Sequence, residues 1–161
     1  MMNRFIITAL SVFCLLASAC KKDKQAKEPD NLYLTATKDN TNWITNWHTY
    51  ADVDAAKNYV LVGINKEENI NIRLTVNSSN QYVLVEDKTV FYITVGQDAI
   101  VARYTPDNSA GNTVNVTNHD IKNALIEGNF NIKFKKISGA DTYPATVNFT
   151  DGKFRMSKAY D

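Results

Sequence analysis

The sequence predicts an all-β domain, an antiparallel meander of about ten short strands that hides its apolar faces as a β-sandwich or a lipocalin-like barrel. Three observations carry this expectation. Apolar residues recur at every second position in several separate segments. Short stretches rich in Asn, Asp, Gly, Ser and Lys stand between those segments. No segment places its apolar residues at the 3.6-residue spacing of an amphipathic helix over a useful length.

Taken along the chain, the first strand is expected near Leu32–Thr37, and a second over Trp43–Thr49 beyond the turn-rich 38–42. Asp52–Lys57 contains two alanines and a possible cap, but reads as a loop. Tyr59–Ile64 follows, then Ile70–Asn77, where Ile70, Ile72, Leu74 and Val76 share one face of a strand. On a helix every second side chain advances by about 200°, which would scatter these four around the axis. Gln81–Val85, Thr89–Val95, Ala99–Thr105 and Thr113–Thr117 are further short strands, separated by turn signals.

The clearest strand is near the end. Ile126, Gly128, Phe130, Ile132 and Phe134 face one way, and Glu127, Asn129, Asn131, Lys133 and Lys135 the other. Gly128 on the apolar face implies a bend, or a large neighbour that fills the missing side chain. Ala145, Val147 and Phe149 alternate up to Asp151-Gly152, and Phe154 and Met156 resume afterwards. That dipeptide suits a type I′ turn, so a closing hairpin is expected there.

Before the domain, Asn3-Arg4 and the apolar run Phe5–Leu16 have the form of a signal peptide over residues 1–19. The run is too short to span a bilayer, which takes roughly 20 apolar residues, and Lys21-Lys22-Asp23-Lys24 ends it. Cleavage is expected after Ala19. Leu16-Ala17-Ser18-Ala19-Cys20 resembles the lipobox of bacterial lipoproteins, which implies diacylglyceryl modification of Cys20 and cleavage just before it. Residues 20–31 then form a charged, extended tether, and 32–161 a single all-β domain. Ala17 departs from the leucine more common at that place. Cys14 falls within the leader, so the mature chain has no second cysteine with which Cys20 could pair. Lys21-Lys22-Asp23 resembles the charged export signal of surface lipoproteins in the Bacteroidota, which implies the outer membrane.

Leu34-Thr35-Ala36-Thr37 with Trp43, Ile126–Ile132 and Val147–Phe154 together resemble an uncharacterised family of small Bacteroidota lipoproteins. In that family an opening strand and a tryptophan precede a meander that ends in a Gly-x-Phe strand and an Asp-Gly-Lys-Phe hairpin. The resemblance spans nearly the whole mature domain. It implies shared fold and location, and no activity.

Lys and Arg total 18 and Asp and Glu 17, and removing Arg4 with the leader leaves the two signs balanced. Nucleic acid is therefore not an expected partner, because displacing phosphate counterions takes a basic face. His48 and His119 have no second histidine or cysteine at ligand spacing, so neither a metal site nor a cofactor is expected, and chance exposure to solvent accounts for both rings. Glu67-Glu68 and Asp52 with Asp54 read as turn residues, since a glycosidase needs carboxylates facing each other across a cleft. No Gly-x-Ser-x-Gly elbow or glycine-rich phosphate loop is present.

Trp43 and Trp47 are the candidate ligand-binding residues. Four apart on one strand, they would share a face about 13 Å apart and offer a stacking platform to a sugar. Core burial is the competing account of the same two indoles. The expected function is a lipid-anchored, non-catalytic binding or accessory module for a glycan, a small apolar ligand or an envelope protein. An envelope-polymer hydrolase and a purely structural subunit with buried tryptophans are the rivals.

Overall fold

The computed structural model describes residues 31–54 and 57–159. The signal peptide with its cleavage site at Ala19, the lipidation site Cys20 and most of the tether lie outside the described residues, as do Ala55 and Ala56 of the expected loop.

Eleven strands form one antiparallel sheet: β1 (Tyr33–Lys38), β2 (Thr41–Ile44), β3 (Trp47–Asp54), β4 (Asn58–Asn65), β5 (Glu68–Val76), β6 (Tyr82–Leu84), β7 (Val90–Val95), β8 (Ala99–Pro106), β9 (Thr113–Asp120), β10 (Leu125–Gly139) and β11 (Thr146–Ser157). Among the described residues the only helical element is a single 3₁₀ turn at Glu86–Lys88. The strand order is β2-β1-β11-β10-β8-β7-β5-β4-β3, with β6 added to β5 and β9 to β10. The all-β, antiparallel expectation therefore stands.

The sheet is not closed into a barrel, so the lipocalin-like alternative does not form. Its two ends nevertheless approach each other. The corner between β2 and β3 bonds to both, Thr45 N–H donating to Leu34 O (3.1 Å) and Asn46 N–H to Ile64 O (2.7 Å). Midway along β3, Tyr50 makes an isolated parallel bridge with Lys158, and Ala159 N–H donates to Tyr50 O (2.8 Å). Single contacts of this kind satisfy a few backbone groups at an edge but do not continue a ladder.

Alternation places the core as the sequence implies. Leu61 on β4, Ile70, Ile72 and Leu74 on β5, Phe130, Ile132 and Phe134 on β10 and Phe149, Phe154 and Met156 on β11 are all buried. Gly128 lies under a large neighbour, since a Cβ there would sit 2.5 Å from Phe154 Cζ.

Three expectations of detail are corrected. Asp151-Gly152 is not a hairpin turn: β11 runs straight through it, and the register against β10 slips between Phe130↔Gly152 and Ile132↔Phe149. One extra residue switches the inward side chains from odd to even numbers, which is what a β-bulge does. Asp151 takes the positive φ of 51°, and Gly152 makes room for the Phe130 ring, whose nearest atom would lie 2.5 Å from an added Cβ. The expected strand Trp43–Thr49 is two strands, broken at Thr45-Asn46, because these two residues turn their N–H groups to different neighbours. Asp52–Asp54 form no loop but continue β3 and pair with β4, Asp52 opposite Tyr59 and Asp54 opposite Asn58.

Candidate functional site

The break at Thr45-Asn46 decides the fate of the tryptophan pair. Trp43 on β2 is 2% exposed; its ring meets Phe149 edge-on at 5.2 Å, and its indole N–H donates to Glu68 Oε2 at 2.7 Å. Trp47 opens β3 and is 51% exposed. The two do not share a strand face, and Trp43 has no surface to offer a sugar, so the paired platform is not formed.

The acidic pairs also separate. Glu68 joins Lys38 in a half-buried ion pair. Its neighbour Glu67 accepts from Thr94 Oγ1 (2.8 Å) and Gln97 N–H (3.2 Å) through Oε2. Asp52 meets Lys158 at 2.7 Å, and Asp54 accepts from the amide of Asn58. Each carboxylate is taken up by a contact within or between strands.

The structure instead assembles a cluster around His119, whose ring is not left to chance exposure. His119 is half-buried on β9, facing Tyr50 from β3, Tyr59 from β4 and Tyr82 from β6. The three ring centroids lie 5.5, 5.0 and 5.8 Å from the imidazole, and Tyr50 and Tyr59 meet it edge to face. Both ring nitrogens are engaged, Nδ1 with Tyr82 Oη at 2.5 Å and Nε2 with Tyr50 Oη at 3.3 Å. A neutral imidazole fits, with one nitrogen accepting from a phenol and the other donating to a phenol oxygen.

Burial favours the uncharged form of every member. Desolvation lowers the pKa of His119, partly opposed by Asp52 and Asp120. Desolvation, reinforced by Asp52 and by neighbouring tyrosines, pushes Tyr50 up to about 12, and burial raises Tyr59 and Tyr82. A histidine with both nitrogens occupied by phenols is a poor free base, and the cluster is better suited to closing the end of the core than to moving protons. No sequence signal marks it, because its four members are brought together from four strands.

His48 is likewise half-buried, its Nδ1 3.0 Å from Thr45 Oγ1, and burial lowers its pKa. Depressed histidines hold protons less readily folded than unfolded. Their contribution to stability is full above about pH 6.5 and is lost as pH falls through the depressed native values. The urea midpoint is therefore expected to drop between about pH 7 and pH 5. It should stay level across that range when His48 and His119 are both glutamine; a level wild-type profile would contradict the assignment.

Tyr82 and His119 also form the wall of a groove. β6 and β9 run side by side within 8 Å, Cα to Cα, yet share no ladder hydrogen bonds. The depression between them is about 670 Å³ in volume, lined by Asn80, Gln81 and Tyr82 on one bank and by Asn115, Thr117 and Asn118 on the other, among others. A second depression of about 710 Å³ continues along the same strands to Glu86 and Asn112, whose amide donates to Glu86 Oε1 at 2.9 Å.

A family model described as "Domain of unknown function (DUF6252)" matches residues 30–156. The chain belongs to the DUF6252 family. No curated protein and no solved structure matches it. The matched region takes in β1 to β10 and all but the last residue of β11. Within this DUF6252 domain it therefore includes the groove, the His119 cluster and both tryptophans. Residues 1–29, with Cys20, precede the match.

Proposed function

We propose that this DUF6252 protein is a lipid-anchored component of the bacterial outer membrane, cleaved after Ala19 and acylated on Cys20, that displays its β-domain as a non-catalytic binding module. The observation that carries the reading is a division of labour among polar groups. The carboxylates of both acidic pairs and the two histidines are tied into contacts within the fold, whereas the side chains of Asn115, Thr117 and Asn118 along the open groove are engaged by no other described residue. A hydrolase needs the opposite arrangement, with ionisable groups free and converging. A purely structural subunit would bury both tryptophans, and Trp47 is half exposed. The anchor follows from Leu16-Ala17-Ser18-Ala19-Cys20 and from the resemblance to small Bacteroidota lipoproteins. Two or more acyl chains, at about 0.8 kcal/mol per buried methylene, would hold the domain stably.

Detergent phase partition of the full-length protein tests the anchor. The wild type is expected in the detergent phase, and Cys20→Ser in the aqueous phase or as an unprocessed precursor. Equal partition of the two proteins would refute it. Protease shaving of intact cells then reports whether the domain faces outward.

A further inference from the structure

We propose that the groove between β6 and β9 binds a neutral oligosaccharide, an assignment that rests on the binding-module reading above and supplies its ligand class. The first observation is charge. The half of the groove beside His119 is lined by no Asp, Glu, Lys or Arg, although such residues make up 22% of the chain; Glu86 and Asp87 line only the half that continues beyond it. An ionic ligand would find no counter-charge there.

The second is uncommitted hydrogen-bonding capacity. Asn115, Thr117 and Asn118 have exposed side chains that no other described residue engages. A carboxamide presents an acceptor oxygen beside an NH₂ donor, which matches the adjacent hydroxyls of a sugar ring, each of which both donates and accepts. On the opposite bank the amide oxygens of Asn80 and Gln81 already accept from Lys57 Nζ and Asn77 Nδ2, each at 3.4 Å, which leaves their NH₂ groups as donors. Tyr82, fixed by its bond to His119, adds an aromatic surface for the apolar face of a sugar.

The third observation excludes an extended peptide between the strands. An inserted strand needs its two neighbours about 9.6 Å apart, twice the ladder spacing. β6 and β9 approach within 8 Å. A small apolar ligand is no better served, since Val83 and Val116 are the only aliphatic residues lining the half beside His119.

The test is affinity electrophoresis of the full-length protein in detergent-containing native gels cast with neutral polysaccharides: amylopectin, galactomannan, xyloglucan, mixed-linkage β-glucan and yeast mannan. Retardation is expected in at least one gel. The double variant Asn115→Ala, Asn118→Ala should weaken it about tenfold or more, as loss of two hydrogen-bonding side chains implies. Both positions are exposed and outside the core, so the fold should survive, and circular dichroism checks that it does. Trp47→Ala should run as the wild type. Mobility unchanged in all five gels overturns the proposal, and so does retardation that the double variant retains or that Trp47→Ala abolishes. Because the anchor is read separately by Cys20→Ser, failure here with detergent partition intact removes the saccharide and leaves the anchored module standing.

Discussion

Truncating Phe149 to alanine is expected to cost about 4 kcal/mol of stability, the range for removing a fully buried ring. Phe149 is 0% exposed and touches rings from strands on both sides of β11 in the sheet order. Its ring lies 5.2 Å from Trp43 on β2, 5.3 Å from Phe91 on β7 and 5.8 Å from Phe134 on β10. Removing it strips contacts from three strands at once and leaves a cavity that stiff neighbouring strands can close only in part. The Trp43 indole is held by Glu68 and is not free to swing into the gap. Phe149→Leu keeps most of the volume and should cost less. Urea denaturation of the two variants beside the wild type decides the matter. A loss under about 1.5 kcal/mol for alanine would mean that this aromatic cluster is not the centre of the core.

Gly128→Ala adds a single carbon and is nevertheless expected to cost about 3 kcal/mol, the upper part of the range for overpacking. The new Cβ would stand 2.2 Å from the backbone oxygen of Asn115 and 2.5 Å from Phe154 Cζ. A side-chain tip can rotate away, but a carbonyl moves only with its strand, so β9 must shift from β10. The register of this pair already slips beside Gly128, between Glu127↔Asn118 and Gly128↔Val116. Hydrogen exchange should therefore show β9 amides losing protection while those of β4 and β5 hold theirs. Asn129→Ala, one residue along on the exposed face, should stay within about 0.5 kcal/mol of the wild type. Equal effects at the two positions would contradict the close approach.

Strands whose alternation runs unbroken were legible in the sequence: β4, β5 and the first half of β10 lie where their apolar residues place them, and the neighbour implied by Gly128 is Phe154. Misreadings arose where one local pattern has two physical solutions. At Asp151-Gly152 a positive φ and a change of parity serve a tight turn and a bulge equally well. The choice was made by Phe130 and Asn131 on the partner strand, the latter accepting Asp151 N–H at 2.9 Å. Between Trp43 and Trp47 the spacing was right for one strand, but Thr45 and Asn46 bond to β1 and β4, which no local pattern announces. His119 illustrates the same limit at the site. Its partners lie 37 residues away at Tyr82 and 69 at Tyr50, so only the folded sheet identifies it.

The pairing of β1 with β11 has a consequence for biogenesis. The first and last strands of the domain are immediate neighbours, so β2 and β1 join β10 and the strands beyond it in one sheet only once β11 is available to lie between them. Such distant partners place a protein among the slower folders, in the range of milliseconds to seconds. Until then Phe134 of β10 has Phe91 of β7 beside it but lacks Phe149 of β11, and apolar surface left open in this way favours association between partly folded chains.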